Sequence, residues 1–229
     1  MSVTARPCAA VAIRARMASR AGLIVSGLNS LMDEQLIAAA RAVKRRRRTS
    51  HPTLWLFTDP ARLPDPLAAI AVLPPGLSGV VLRDEVSVAR AAAIARLCRA
   101  RRIALVVAGA PHLAAALHAG LHLRRGAHLG CAHLTRGWIT ASAHGRAELV
   151  RARRAGADLV FLSPAFPTVS HPGAPALGPV RWAALARGAG LPVIALGGVR
   201  GRRLRALGRS CAGAAAIGAL AIQRHTLCP

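Results

Sequence analysis

Residues 138–162 read Trp-Ile-Thr-Ala-Ser-Ala-His-Gly-Arg-Ala-Glu-Leu-Val-Arg-Ala-Arg-Arg-Ala-Gly-Ala-Asp-Leu-Val-Phe-Leu and hold one complete structural repeat. Trp138 to Ser142 (WITAS) is a short strand-like run, Gly145 to Ala155 is Ala- and Arg-rich with helical character, and Asp158 to Leu162 (DLVFL) is a second strand. Strands without polar alternation, separated by helices, belong to parallel sheets covered on both faces. The same pattern runs outward in both directions. Upstream are Leu54 to Thr58 (LWLFT), Gly79 to Arg83 (GVVLR), Ile103 to Ala108 (IALVVA) and Gly120 to Leu123 (GLHL). Downstream are Pro192 to Leu196 (PVIAL) and Ala214 to Ile217 (AAAI). Eight such strands in about 175 residues predict an α/β fold, a compact (β/α)8 TIM barrel. A doubly wound open sheet would need a Gly-rich turn after its first strand, and Thr58-Asp59-Pro60 is not one.

The barrel is assigned to residues 54–229. Residues 32–53 form a basic helix and linker before it. The helix spans Asp33 to Arg48, with Asp33 and Glu34 at its start and Lys44-Arg45-Arg46-Arg47-Arg48 at its end, the polarity that the helix dipole favours. Residues 1–31 are an uncertain N-terminal extension. They carry Arg6, Arg14, Arg16 and Arg20 and no acid, a composition like that of a transit peptide but without the apolar core of a secretory signal. A start at Met32 is equally consistent with this composition.

Composition narrows the function classes. At 53% hydrophobic residues, the chain is too apolar for a disordered protein. Its longest apolar stretch, Ile103 to Leu121, is interrupted by Pro111, His112 and His118, so no membrane span is expected. The formal net charge is +24, yet Lys44 is the only Lys among 32 cations. Arg-for-Lys usage on this scale reads as compositional drift. The run 44–48 lacks the interleaved aromatics of a nucleic-acid platform, so nucleic acid is not the expected partner. Five widely spaced cysteines without a C-x-x-C pair fit reduced thiols in a cytoplasmic protein.

In a TIM barrel the chemistry sits at the C-terminal strand ends. Those positions here are Asp59, Arg83, Gly109, His122, His144, the loop from Ser163 to Gly178, Gly197-Gly198 and Gly218. Few acids, several cations and hydrogen-bond donors, and glycines suit an anionic small molecule.

Three segments in order, Leu54-Trp55-Leu56-Phe57-Thr58-Asp59, Ser163-Pro164-Ala165-Phe166-Pro167-Thr168 and Pro192-Val193-Ile194-Ala195-Leu196-Gly197-Gly198-Val199, resemble the thiamine-phosphate synthase/TenI superfamily over roughly residues 54–222. The resemblance implies a ligand of the thiazole phosphate or thiamine-precursor class, and a homodimer is compatible with it. Thiamine-phosphate synthases join a pyrimidine diphosphate to a thiazole phosphate with help from Mg2+. Their Gln-Leu-Arg-Glu-Lys after the second strand is here Val81-Leu82-Arg83-Asp84-Glu85, and their Asn-Asp after the third is Ala108-Gly109. Aligning a further metal Asp before the fourth strand puts it at Ala119. The resemblance therefore points to the TenI branch, similar to thiazole tautomerases, with no cofactor and no metal ligand; Mg2+ enters only under the synthase alternative.

For that branch the resemblance implies His144 as the proton carrier. An imidazole titrates near neutrality and suits the task, although a strand-end His can equally cap the next helix. Arg83 would clamp a carboxylate or phosphate. Ser142, Gly109, Thr168, His171, Gly197, Gly198 and Gly218 complete the phosphate-binding set, with His171 where the family has a Lys. A non-catalytic barrel that binds thiamine precursors or an acidic partner is the remaining alternative. His118 and His122 are four apart, as in a helical metal pair, but Gly120 between them and a strand at His122 predict divergent side chains.

Overall fold

The computed structural model describes residues 32–83, 86–124, 135, 137–168, 173 and 175–221. Its strands are β1 (Leu54–Phe57), β2 (Ser78–Leu82), β3 (Ala104–Ala108), β4 (Gly120–Leu123), β5 (Ile139–Ala143), β6 (Leu159–Leu162), β7 (Val193–Leu196) and β8 (Cys211–Ala216). Each pairs in parallel with the next, and β8 returns to β1 to close the barrel. The helices are α1 (Glu34–Arg47), α2 (Pro66–Val72), α3 (Val88–Ala100), α4 (Pro111–Ala116), α5 (Arg146–Arg154), α6 (Gly178–Arg187) and α7 (Gly201–Ala206). This is the expected (β/α)8 barrel.

Alternation along each strand sorts side chains into two cores. Trp55, Phe57, Val81, Val106, Leu159, Phe161, Ile194 and Ala215 pack together inside the barrel. Leu54, Leu56, Val80, Leu82, Val160 and Leu162 join the larger core shared with the helices. Large and small residues alternate around the interior. Trp55 stands in register with Gly79 on one side and Ala215 on the other, and its ring meets Phe161 edge-on at 5.4 Å. The first half of β8, Cys211-Ala212-Gly213, offers no strand pattern, which is why its start lies three residues before the expected Ala214.

Helix α1 is part of this architecture and not a detached leader. Asp33 caps it by accepting from the Leu36 N–H at 2.9 Å, and Leu36, Ile37, Ala40 and Val43 turn their stripe inward. The helix covers β8 and packs against α7. Its approach to α7 is close because position 201 has no side chain; a methyl there would sit 2.7 Å from the Leu36 nitrogen. Gly201→Val is therefore expected to push α1 off the barrel and cost about 1–3 kcal/mol of stability, measurable by urea unfolding.

The basic run closes the barrel's N-terminal end. Arg47 donates to the carbonyls of Arg209, Ser210 and Cys211 at 2.8, 3.0 and 3.2 Å, and Arg46 reaches Cys211 O at 3.3 Å. Lys44 Nζ donates to the carbonyls of Ser50 and His51. These cations satisfy backbone carbonyls where the chain enters β1 and β8. Cys98 and Cys211 are unpaired and buried, and burial pushes their thiols up to about 12 and about 11. No helix among the described residues is long and apolar enough to cross a membrane.

Candidate functional site

Arg83 follows β2 and is locked to the end of β1. Its backbone N–H donates to Thr58 Oγ1 at 3.0 Å, its Nε to Thr58 O at 2.9 Å, and its Nη2 to Asp59 Oδ2 at 3.0 Å. The guanidinium lies over the Phe57 ring, 5.7 Å from its centroid. Asp59 is also held by Arg62. Hydrogen bonding from Arg62, with the Arg83 charge adding to it, holds the Asp59 carboxyl down at about 2. The Nε/Nη2 side of the guanidinium is thus occupied within the protein, and the Nη1/Nη2 end keeps the donors for a ligand.

His144 follows β5 on the same rim and is exposed. Its backbone N–H is capped by Glu148 in the first turn of α5. Its Nδ1 faces the Ser163 carbonyl across the β6 end at 2.9 Å, with Ser163 Oγ at 3.3 Å. A carbonyl only accepts, so Nδ1 carries a proton, and in the neutral ring Nε2 is the nitrogen with the lone pair. The site therefore presents an imidazole oriented by a backbone group.

Beneath the rim, and not on it, lies a polar group that the sequence places among the strand ends without marking it as a catalytic or binding group. His122, central in β4, is only 2% exposed and meets Phe57 and Phe161 at 5.7 and 5.6 Å. Its Nδ1 contacts Thr140 Oγ1 at 2.8 Å and its Nε2 contacts Ser142 Oγ at 2.9 Å. Burial, reinforced by the charges of Arg124 and Arg83, pushes its pKa down to about 3. Arg124, also unmarked, follows β4 and donates to the Arg83 carbonyl at 2.6 Å. Gly109, at φ +68°, donates to the His122 carbonyl at 3.1 Å and lies beside the Arg124 side chain.

Gly197 and Gly198, at φ +88° and +62°, are required by the loop that precedes them in sequence. Ala165 N–H donates to Leu196 O and Phe166 N–H to Gly197 O, and a Cβ at 197 would come within 3.0 Å of the Pro164 Cα. The Pro-x-Phe-Pro loop and the Gly-Gly turn thus form one packed unit. Gly218, itself exposed, opens a 3-10 turn (Gly218–Leu220) after β8, and Ala219 O accepts from Asp33 N–H at 3.0 Å. Ser142 and Thr168 are half-buried. His171, with Asp84, Glu85, His128 and His133, lies outside the described residues.

Residues 68–220 match the family model described as thiamine monophosphate synthase. The chain belongs to this family. No curated protein matches it by sequence. Among solved structures, a thiamine phosphate pyrophosphorylase from Pyrococcus furiosus is 22% identical with a TM-score of 0.61, covering 72% of this chain and 85% of that one. FabK from Thermotoga maritima is 16% identical with a TM-score of 0.56, covering 78% and 61%. The YdjI aldolase from Escherichia coli K12 is 8% identical with a TM-score of 0.55, covering 79% of each chain. Likeness at these identities carries the barrel fold alone.

Within the thiamine monophosphate synthase family, one sequence correspondence needs correcting. Ala119 immediately precedes β4 and is 3% exposed in the outer core. A carboxylate there would lie at the N-terminal end of the barrel, opposite the rim, and so could not share a metal with groups on β3. Residues 124–138, which follow β4 in sequence, contain no Asp or Glu. The donor set among the described residues does not fit Mg2+. Asp59 is taken up by two guanidiniums and Glu148 by the His144 N–H and Arg151, and no group of three His, Cys, Asp or Glu side chains converges among the described residues. His118 is exposed at the N-terminal end of β4, apart from His122, as the intervening Gly120 predicted.

His122 was legible in principle. In Gly120-Leu121-His122-Leu123 the period-two pattern places it opposite Leu121 and Leu123, hence inside the barrel. Arg124 carried no signal among 31 arginines.

Proposed function

We propose that this chain binds a thiazole phosphate at the C-terminal rim and acts as a TenI-type thiazole tautomerase, with His144 carrying the proton. The observation that supports it most is the Nδ1 contact of His144 with the Ser163 carbonyl. It selects Nε2 as the lone-pair nitrogen of the neutral ring, the form a general base requires. Nε2 would take a proton from one ring position of the thiazole carboxylate phosphate and return it at another, with no net change in charge. Arg83 would pair with the anionic group, assisted by Ser142 and Thr168. Backbone N–H groups at Gly197, Gly198 and Gly218 would complete the phosphate site, such sites commonly forming after strands seven and eight, while Gly109, whose N–H is held by the His122 carbonyl, would contribute only its lack of a side chain.

The test is deuterium incorporation from solvent into a thiazole carboxylate phosphate, followed by NMR. Exchange by the full chain that is lost in His144→Ala supports the tautomerase; exchange that persists in that variant removes His144 from the role. Arg83→Gln is expected to weaken binding of the same ligand about tenfold, the loss of one charge-assisted contact, as read by calorimetry.

The family's own description favours a second reading, a thiamine-phosphate synthase joining a pyrimidine diphosphate to the thiazole phosphate. Mg2+-dependent release of diphosphate from the two substrates would select it over the tautomerase.

A further inference from the structure

The imidazole of His122 is a polar group buried inside the barrel, and the rim chemistry does not use it directly. Three groups run in line from the interior to the rim. Thr140 is fully buried, His122 nearly so, and Ser142 is half-buried at the end of β5. Among the described residues, each ring nitrogen of His122 has one hydroxyl partner, and the Thr140 hydroxyl has no partner besides His122 Nδ1.

A neutral imidazole donates from one nitrogen and accepts at the other, so the chain can run in two directions. If Ser142 donated to Nε2, then Nδ1–H would donate to Thr140 and the Thr140 proton would be unpaired in an apolar interior, the costly arrangement. In the reverse direction Thr140 O–H donates to Nδ1, Nε2–H donates to Ser142 Oγ, and every buried proton is satisfied. The Ser142 proton is then the one left over, at the only member of the chain that reaches solvent. Aromatic burial between Phe57 and Phe161 keeps the imidazole neutral, so this direction does not reverse near neutral pH.

We infer that Thr140 and His122 are positioning residues that turn the Ser142 hydroxyl proton outward, making Ser142 a fixed donor to an anionic oxygen of the bound ligand. This deepens the phosphate-site reading above and rests on it for the ligand, though not for the direction of the chain. Pre-setting the donor removes the cost of reorienting it on binding.

Two measurements on the full chain test it. In 15N-histidine-labelled protein without ligand, His122 is expected as the Nε2–H tautomer, its resonances assigned by their loss in His122→Gln. An Nδ1–H tautomer overturns the inference whatever the protein binds. In the second, inorganic phosphate is titrated as the probe. Ser142→Ala is expected to bind about tenfold more weakly, Thr140→Val to fall between it and the parent, and Thr140→Ser to restore parental affinity. In the double variant, Thr140→Val should add nothing to Ser142→Ala, because its effect passes through that hydroxyl. Additive losses would mean a merely structural role and also overturn the inference. Phosphate failing to bind the parent chain, with the Nε2–H tautomer present, would instead overturn the anionic ligand.

Discussion

Replacing His144 with Ala is expected to slow proton exchange into the thiazole ring by roughly 10²–10⁴-fold, the usual contribution of a positioned general base. The effect should fall on kcat more than on KM. His144 contributes a lone pair at Nε2, whereas charge pairing with the ligand belongs to Arg83. Two comparisons make the result specific. His144→Gln keeps a polar side chain but cannot cycle a proton near neutrality, so it should be as slow as the Ala variant. Glu148→Gln should retain most activity, because Glu148 holds the His144 backbone N–H and not the ring. A large loss in Glu148→Gln with a small one in His144→Gln would show that loop geometry, and not the imidazole, controls the rate.

Acid should destabilise this protein well above the range in which its carboxylates titrate. His122 is held at about 3 in the fold and would return to about 6.5 on unfolding. Between those values the unfolded chain binds the extra proton, so stability falls as pH drops. At about 1.4 kcal/mol per pH unit, His122 alone would remove roughly 4 kcal/mol between pH 6.5 and pH 3, a large share of a typical domain's stability. His51, whose pKa burial also lowers, acts in the same direction as pH falls below its ordinary value. Asp59 acts in the same direction at lower pH: its carboxyl lies at about 2 in the fold, below its ordinary value, so its contribution is complete above the unfolded value near 4 and is lost as pH falls from there through about 2. Urea titrations from pH 7 to pH 4 should show a falling midpoint. His122→Gln should flatten that slope while lowering stability at pH 7, and an unchanged slope in this variant would assign the acid sensitivity elsewhere.

Phe57 illustrates why the barrel was readable and the site only partly so. In LWLFT, Leu54 and Leu56 face the helices while Trp55 and Phe57 face the interior. Both surroundings are apolar, so the strand stands out as an uninterrupted apolar run. Arg83 and His144 stood out because they follow immediately on such runs. Their partners did not. Asp59 lies 24 residues from Arg83 and Ser163 lies 19 from His144, separations that only barrel closure turns into contacts. The run Lys44 to Arg48 reads equally well as a solvated helix end or as an anion patch. Its pairing with the carbonyls of Arg209 to Cys211 depends on α1 lying alongside β8.

The alternation of apolar runs and helical stretches determined the barrel and its strand ends, because the hydrophobic effect acts on patterns short enough to be written in one segment, and three local motifs carried the resemblance to its family. Tertiary structure alone decided which proton His144 keeps, how far Arg83 is already occupied, why a carboxylate at position 119 would face the wrong end, and that His122 links the interior to Ser142. Each of these depends on a hydrogen bond or a direction between distant strands, and such bonds acquire definite geometry only when the sheet closes and water is excluded from between them.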